Sequence, residues 1–394
     1  VTVLFDLIAT QPAVSYRFHG GAEYGKQIFF RAIDAGLTRF HAIYNPELEL
    51  DPKVLEACQK NDIVMMPVQS QAGLEQVLTD GDYETFFSAL PYPYAAVDTK
   101  GTRFVMSVHG LRNLEMPYDP NRKLLAVNPV RRYWNVLVEP GRIRSRRAVE
   151  RVKMWELLSR AGAEIVTASR HSKYSIKSFF PALSLDQIRV IHCPVDDMSD
   201  VLPGVLPVGG LYYLLLGADR WIKNVRLACM VIDELISDGL LHVDKVLVLG
   251  AANPDKILSQ LRNADHFDVR GYVERATLAE VYVNAHALIY PTLNEGFGYP
   301  PLNSMQSGTP VVASSVSSVP EVCGDAALYF NPCSPQELRN RILQIDRDEV
   351  FYRDLVAKGF SRFSVLMDME KAMMAEMLSL IFAPDNRGGR GGDE

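Results

Sequence analysis

The sequence predicts an α/β protein of two domains, each a parallel sheet with helices on both faces. Three observations carry this. Short apolar runs of strand length, at residues 3–8, 40–44 and 63–67, alternate with helical stretches such as residues 52–60. At 394 residues the chain exceeds one ordinary core and is long enough for two. Glycine-bearing loops follow several of the strands, which lets a backbone approach a ligand at the carboxyl edge of an open sheet.

Composition bounds the function. The formal net charge of −6 argues against bulk nucleic-acid binding, so no nucleic-acid partner is expected. Five scattered cysteines form neither a CxxC pair nor a Cys/His cluster, so no disulfide framework or zinc site is expected. That usage fits a reducing cytosol. No apolar stretch reaches the length that spans a bilayer.

The first domain opens with a strand at 3–8. A polar loop then leads to His19, Gly20 and Gly21, and a helix is expected from about 24 to 35. Strand, Gly-Gly and helix together offer backbone N–H groups to a phosphate; a plain turn is the competing reading. Further alternating elements run to Leu90. The strand at 104–108 ends in His109-Gly110-Leu111-Arg112. A lone histidine is more often a bystander, but this one stands where open sheets hold their ligands.

Between 131 and 160, Arg131, Arg132, Arg142, Arg144, Arg146, Arg147, Arg151, Lys153 and Arg160 crowd around Trp134 and Trp155. Only Glu139, Glu150 and Glu156 oppose them locally. The patch reads equally well as a contact for anionic lipid or an acceptor phosphate, or as a solvated helix face. On the second reading Val149, Val152, Leu157 and Leu158 supply the core side. A strand at 165–168, a helix at 172–180 and a strand at 188–191 close the domain. The stretch 197–210, with Pro203 and Pro207, is the linker.

The second domain begins with a strand at 211–216 and the loop Gly217-Ala218-Asp219-Arg220-Trp221-Ile222-Lys223-Asn224. A strand at 246–250, a helix at 254–263, the segment through Gly271, Tyr272 and Val273, and a helix at 276–285 follow. The stretch 287–321 then organises the rest. A buried strand at 287–290 leads to Glu295 and Gly296-Phe297-Gly298. Pro300 and Pro301 suit the first turn of a helix that includes Leu302 and Asn303. Open N–H groups at that helix start make an anion site, with Glu295 at its mouth. A strand at 326–330 and a capping box, Ser334 with Glu337, start the closing helices, the last two expected at 350–360 and 364–381. The acidic pair Asp346 and Asp348 imitates a metal-binding DxD, but its place after an amphipathic helix reads as a solvated junction. Gly296 and Gly298 lack the third glycine of a dinucleotide fingerprint.

Glu295-Gly296-Phe297-Gly298, the proline pair and Gly308-Thr309-Pro310-Val311-Val312 match in order and spacing the signature of retaining glycosyltransferases of family 4. The chain resembles that family over most of its length, strongly from 212 to 337. The resemblance implies the GT-B fold, two Rossmann-like domains facing across a cleft with a C-terminal helix crossing back to the first. The implied boundaries are 1–200 for an acceptor-side domain and 208–363 for a nucleotide-sugar domain. Residues 364–383 would form the crossing helix and 384–394 a disordered tail. The reaction implied moves a sugar from a nucleoside-diphosphate sugar to a hydroxyl of a glycan or lipid-linked acceptor, with retained configuration. It needs no cofactor beyond the donor and no metal. Such an enzyme is expected in the cytoplasm, with peripheral contact at the inner face of the membrane through 131–160.

The resemblance also implies roles. Glu295 and His109 would be catalytic, beside the donor sugar. Gly20 and Gly21 would face the donor phosphates, and Arg220 and Lys223 would grip the diphosphate. Backbone at Tyr272 and Val273 would contact the nucleobase, while Gly296, Phe297, Gly298, Leu302 and Asn303 complete the donor site. Two departures stand out. Asn303 occupies the place of the family's second glutamate, and Ala218 that of its first arginine, with Arg220 two residues on. These departures motivate one rival, a non-catalytic GT-B subunit that binds a nucleotide sugar. The other is a sugar-nucleotide epimerase or phosphorolytic enzyme of the same fold. Acceptor loops vary within a shared fold, so sugar, base and acceptor stay open.

Overall fold

The structure, a computed structural model, describes residues 3–12, 20–119, 121, 129–195 and 211–383. The expectations for His19, the linker 197–210 and the tail 384–394 lie outside the described residues. Within them the chain divides into two compact units. The first holds residues up to Leu111, Ala148–Pro194 and the chain from Met369; the second holds Arg112–Arg147 and Val195–Asp368.

Seven strands build the first unit: β1 (Val3–Asp6), β2 (His41–Tyr44), β3 (Val64–Pro67), β4 (Thr85–Ser88), β5 (Arg103–Ser107), β6 (Ala163–Thr167) and β7 (Ile188–Val190). They pair in the order β3-β2-β1-β4-β5-β6-β7, every pairing parallel. Strands buried on both faces are largely apolar, as in β1 (VLFD) and β4 (TFFS), whose buried polar ends bond each other, Ser88 Oγ donating to Asp6 at 2.6 Å. Phe5 packs against Phe29, Phe40 and Phe87 with ring centroids 4.9–5.9 Å away.

The second unit repeats the plan with β8 (Tyr212–Leu216), β9 (Val246–Leu249), β10 (Phe267–Arg270), β11 (Ala285–Tyr290), β12 (Val311–Ser314) and β13 (Ala327–Phe330). Their order is β10-β9-β8-β11-β12-β13, again parallel, the doubly wound Rossmann order. The chain steps outward from β8 to β10, then returns to pair β11 on the other side of β8. The loops after β8 and β11 therefore part at a topological switch point, where such sheets bind ligands. Its core packs Tyr213, Leu215, Val248, Ile289 and Val312 against the helices Val225–Ser237 and Pro335–Arg347.

Several expected elements differ in the structure. Residues 112–147 group with the second unit, although the expected boundary put them in the first domain. The two expected closing helices are one, Glu349–Phe382, because the expected gap at 361–363 is itself helical, with Arg362 donating to the carbonyls of Glu321 and Val322. From Met369 on, this helix belongs to the first unit. There Arg31 reaches the buried Glu370 at 3.0 Å, and Arg103 donates to the carbonyls of Leu380 and Ala383. The helix expected at 254–263 shrinks to Asp255–Leu258. Ser334 accepts from the Glu337 N–H, but the Glu337 carboxylate takes the Asn331 N–H, so only half the capping box forms. Among the described residues, no helix is long and apolar enough to cross a membrane.

Candidate functional site

The loop after β8 is held in place by its backbone. Gly217 has φ +78°, and a Cβ there would lie 3.1 Å from Lys223 Cγ, so glycine leaves room for the lysine stem. Trp221–Lys223 forms one 3-10 turn that ends at Asn224, whose φ of 55° is left-handed. Asn224 holds that conformation because its buried amide is fully engaged: it accepts from Asn121 at 2.8 Å and donates to the Pro332 carbonyl at 3.0 Å. The loop after β11 is tied to this turn, since the Leu293 N–H donates to the Ile222 carbonyl at 2.8 Å.

These two loops bring Lys223 and Glu295 together. Lys223 Nζ lies 2.6 Å from Glu295 Oε1 and 3.1 Å from the Tyr290 hydroxyl, and the Thr292 hydroxyl donates to the same carboxylate oxygen at 2.8 Å. Burial alone would raise the Glu295 carboxyl. The positive charges of Lys223 and Arg112, with hydrogen bonds from Lys223 and Thr292, instead hold it at about 2. The carboxylate is therefore ionised at every physiological pH. Burial lowers the Lys223 ammonium, Glu295 opposes that, and Arg220 and Arg112 add to it by repulsion. Serines fix the acidic loop from behind: the Glu295 N–H donates to Ser317 Oγ at 2.8 Å, and Ser318 Oγ donates to the Phe297 carbonyl at 2.7 Å and lies 3.1 Å from that of Glu295.

Gly298 starts the helix Tyr299–Gln306 with φ +127°, a conformation only glycine adopts without strain. Pro300 and Pro301 carry no N–H, so among the first positions of this helix the Gly298 amide is a donor the helix itself does not use. Leu302 and Phe297 are buried side chains, which leaves only their backbone for a ligand. Asn303 stands beside the Tyr282 hydroxyl. Its Oδ1 is buried and without a hydrogen-bond partner among the described residues. Tyr272 is 51% exposed just past β10, at the same carboxyl edge of the sheet as β8, and Val273 is half-buried.

His109, Gly20 and Gly21 belong to the first unit. His109 follows β5, and its Nε2 lies 2.9 Å from the Ala89 carbonyl at the end of β4. A carbonyl only accepts, so Nε2 carries the proton and Nδ1 of the neutral ring is an acceptor. Tyr24 packs edge-on against the ring with centroids 4.7 Å apart. Gly20 and Gly21 do not precede the first helix as expected; they open it, as Gly20–Asp34. A Cβ at Gly21 would come within 2.5 Å of Leu90 Cδ2, so close packing explains that glycine, while Gly20 is exposed with open space around it.

Sequence reasoning passed over three features. Arg112 opens the short helix Arg112–Glu115, and its charge acts on both Lys223 and Glu295. Asn294 is held by Glu115 at 2.6 Å. The third is the serine pair 317–318. The one available signal for Arg112 was a cation three residues past a strand-end histidine. The DxD imitation is structural. Buried Asp346 accepts from the Tyr213 hydroxyl and from the N–H groups of His242 and Val243, and Asp348 caps the last helix through the Phe351 N–H. Val149 and Val152, expected on the core side of their helix, are instead exposed.

Residues 211–348 match the family model described as Glycosyl transferases group 1. O-antigen chain mannosyltransferase B of Escherichia coli is 39% identical over 155 residues, which are 38% of this chain and 41% of that relative. The match thus spans less than half of the relative's length. Sucrose-phosphate synthase from Thermosynechococcus elongatus has a TM-score of 0.71 at 15% identity, over 96% of this chain and 97% of that one. Anabaena Alr3699/HepE, solved in complex with UDP and glucose, gives 0.67 at 13%, over 96% and 99%. These structures show the fold, GT-B with two Rossmann-like domains. The matched segment and the mannosyltransferase relative support a GT-B glycosyltransferase.

Proposed function

We propose that this chain transfers a sugar, mannose first among the candidates, from a nucleoside-diphosphate sugar to a hydroxyl of a glycan or lipid-linked acceptor, with retention. The observation that carries this reading is the buried Lys223–Glu295 pair at the switch point, with the charges of Arg220 and Arg112 acting on it. Cations beside a helix start suit a leaving diphosphate, whose charge grows as the sugar–phosphate bond breaks. Mannose follows from the name of the relative and the nucleoside diphosphate from the UDP held by HepE.

In this scheme the bond between the anomeric carbon and the phosphate oxygen breaks. The acceptor oxygen attacks the same face, and its proton passes to the departing phosphate. Lys223, Arg220 and the amide of Gly298 take up the leaving charge. Glu295, ionised at working pH, accepts hydrogen bonds from donor-sugar hydroxyls, and His109 orients the sugar. Asn303 Oδ1, a buried acceptor, takes a ribose hydroxyl. Side-chain cations carry the role a metal plays elsewhere, so EDTA leaves turnover unchanged.

A thermal-shift series with nucleoside diphosphates and their sugars tests binding, because a ligand of the native state raises Tm by mass action. Release of nucleoside diphosphate that requires an acceptor, abolished in a Glu295→Ala variant that stays folded at the assay temperature although its unpaired Lys223 lowers Tm, is the expected result. Binding without transfer in the wild type would instead leave a nucleotide-sugar-binding subunit. No stabilisation by any nucleoside diphosphate would refute the site.

A further inference from the structure

Within the second unit, the residues that follow Leu111 are tied down at two points, and each point adjoins one member of the Lys223–Glu295 pair. At the first, Glu115 Oε2 accepts from the Asn294 amide at 2.6 Å, and Asn294 directly precedes Glu295. At the second, buried Asn121 donates to Asn224 Oδ1 at 2.8 Å and to the Pro332 carbonyl at 3.2 Å, and Asn224 directly follows Lys223. Arg112 stands at the start of this stretch. The helix Arg112–Glu115 sets Arg112 and Glu115 on one face, and the Met116 N–H closes its turn on the Arg112 carbonyl at 2.7 Å. Holding Glu115 therefore holds Arg112. The Arg112 charge acts on both Lys223 and Glu295, and its Nε is buried with no hydrogen-bond partner among the described residues. A buried donor left unmade is costly, and an anion would satisfy it.

By charge alone, Glu115 is out of place here. A carboxylate beside a loop that meets a diphosphate repels it, so its presence is explained by what it holds. We propose that Glu115 is a positioning residue for the diphosphate site. Its bond to Asn294 fixes the short helix so that Arg112 joins Lys223 and Arg220 at the phosphates, and Asn121 serves the same end beside Lys223. The inference rests on the diphosphate reading of this site and adds to it a residue that touches no substrate.

The test is isothermal titration of the full chain with UDP, GDP and ADP, and with their nucleosides as phosphate-free controls. Glu115→Ala should bind the diphosphate about tenfold more weakly and the nucleoside as the wild type does. Glu115→Gln keeps an acceptor for Asn294 and sheds the charge, so it should bind the diphosphate at least as tightly as the wild type. In an Arg112→Gln background Glu115→Ala should cost nothing further, since residues that act as one unit do not add. A bystander charge predicts the opposite sign: both variants at 115 would tighten diphosphate binding, and that result overturns the proposal. A loss equal for diphosphate and nucleoside overturns it too. So does a loss that persists in full beside Arg112→Gln, which would have Glu115 act through the Glu295 loop instead. A wild type that binds none of the three diphosphates overturns the diphosphate reading itself, and this inference with it.

Discussion

Replacing Lys223 by methionine removes the ammonium and keeps an unbranched stem beside Gly217. Lys223 and Glu295 are 12% and 9% exposed at the side chain, and their charged atoms are 2.6 Å apart. Stripping one partner from a buried pair leaves an uncompensated charge and costs about 3–5 kcal/mol. Thr292 still donates to Glu295 and Arg112 still acts on it, so the loss here should lie near the lower figure, about 3 kcal/mol. Urea unfolding at neutral pH measures it. Lys223→Met/Glu295→Gln should recover most of the loss, because an amide needs no counter-charge. The pH dependence has a definite sign. Glu295 is depressed from 4.5 to about 2, so its stabilisation is fully present above 4.5 and is lost as pH falls toward 2. In Lys223→Met that acid-side loss should shrink. Isothermal titration of the same variant should show nucleoside-diphosphate binding weakened by roughly 1.5–3 kcal/mol, and free-nucleoside binding by less. A stability cost below about 1 kcal/mol, the range of exposed pairs, would refute the buried pair, and equal losses for both ligands would refute its role in holding phosphate.

Two further outcomes follow from the same electrostatics. Arg112→Gln should raise the Glu295 carboxyl and weaken diphosphate binding more than nucleoside binding; titration of both ligands checks this, and a loss shared equally would place Arg112 outside the phosphate site. Asp6, fully buried at the end of β1, is pushed up to about 6 by burial, against hydrogen bonds from Ser88 and Tyr94. Its native form holds the proton more tightly than the unfolded chain, so it favours the fold below about 4 and loses that contribution as pH rises through 6, at most about 3 kcal/mol. Asp6→Asn should flatten that slope in urea melts between pH 4 and 7; an unchanged slope would show that Asp6 does not titrate there.

Much of the second unit could be read from sequence because its signals are local. An apolar run, a glycine that must take positive φ and prolines at a helix start are each decided within a few residues, and 287–321 contains all three. The same locality explains the errors. The helical patterns at 350–360 and 364–381 looked separate at Ser361, Arg362 and Phe363, yet the helix runs through them, with Arg362 donating to the carbonyls of Glu321 and Val322. Val149 and Val152 looked like core because hydrophobicity says what a residue prefers and not which side of its helix is covered.

The sequence by itself determined the alternation of strands and helices, the two-part organisation and the loops that carry Lys223 and Glu295, since backbone preference and burial periodicity are properties of short segments. Only the tertiary structure decided who meets whom. Strand order brings the loops after β8 and β11 side by side, so Lys223 and Glu295 join although the chain between them forms β9 and β10. Arg112 acts on the same pair from far upstream, and Ser317 and Ser318 brace it from the next loop. The ionised state of Glu295 likewise belongs to the fold. A carboxylate exposed on an unfolded chain titrates near its usual value, whereas a buried one takes its charge state from whichever partners the packing has placed around it.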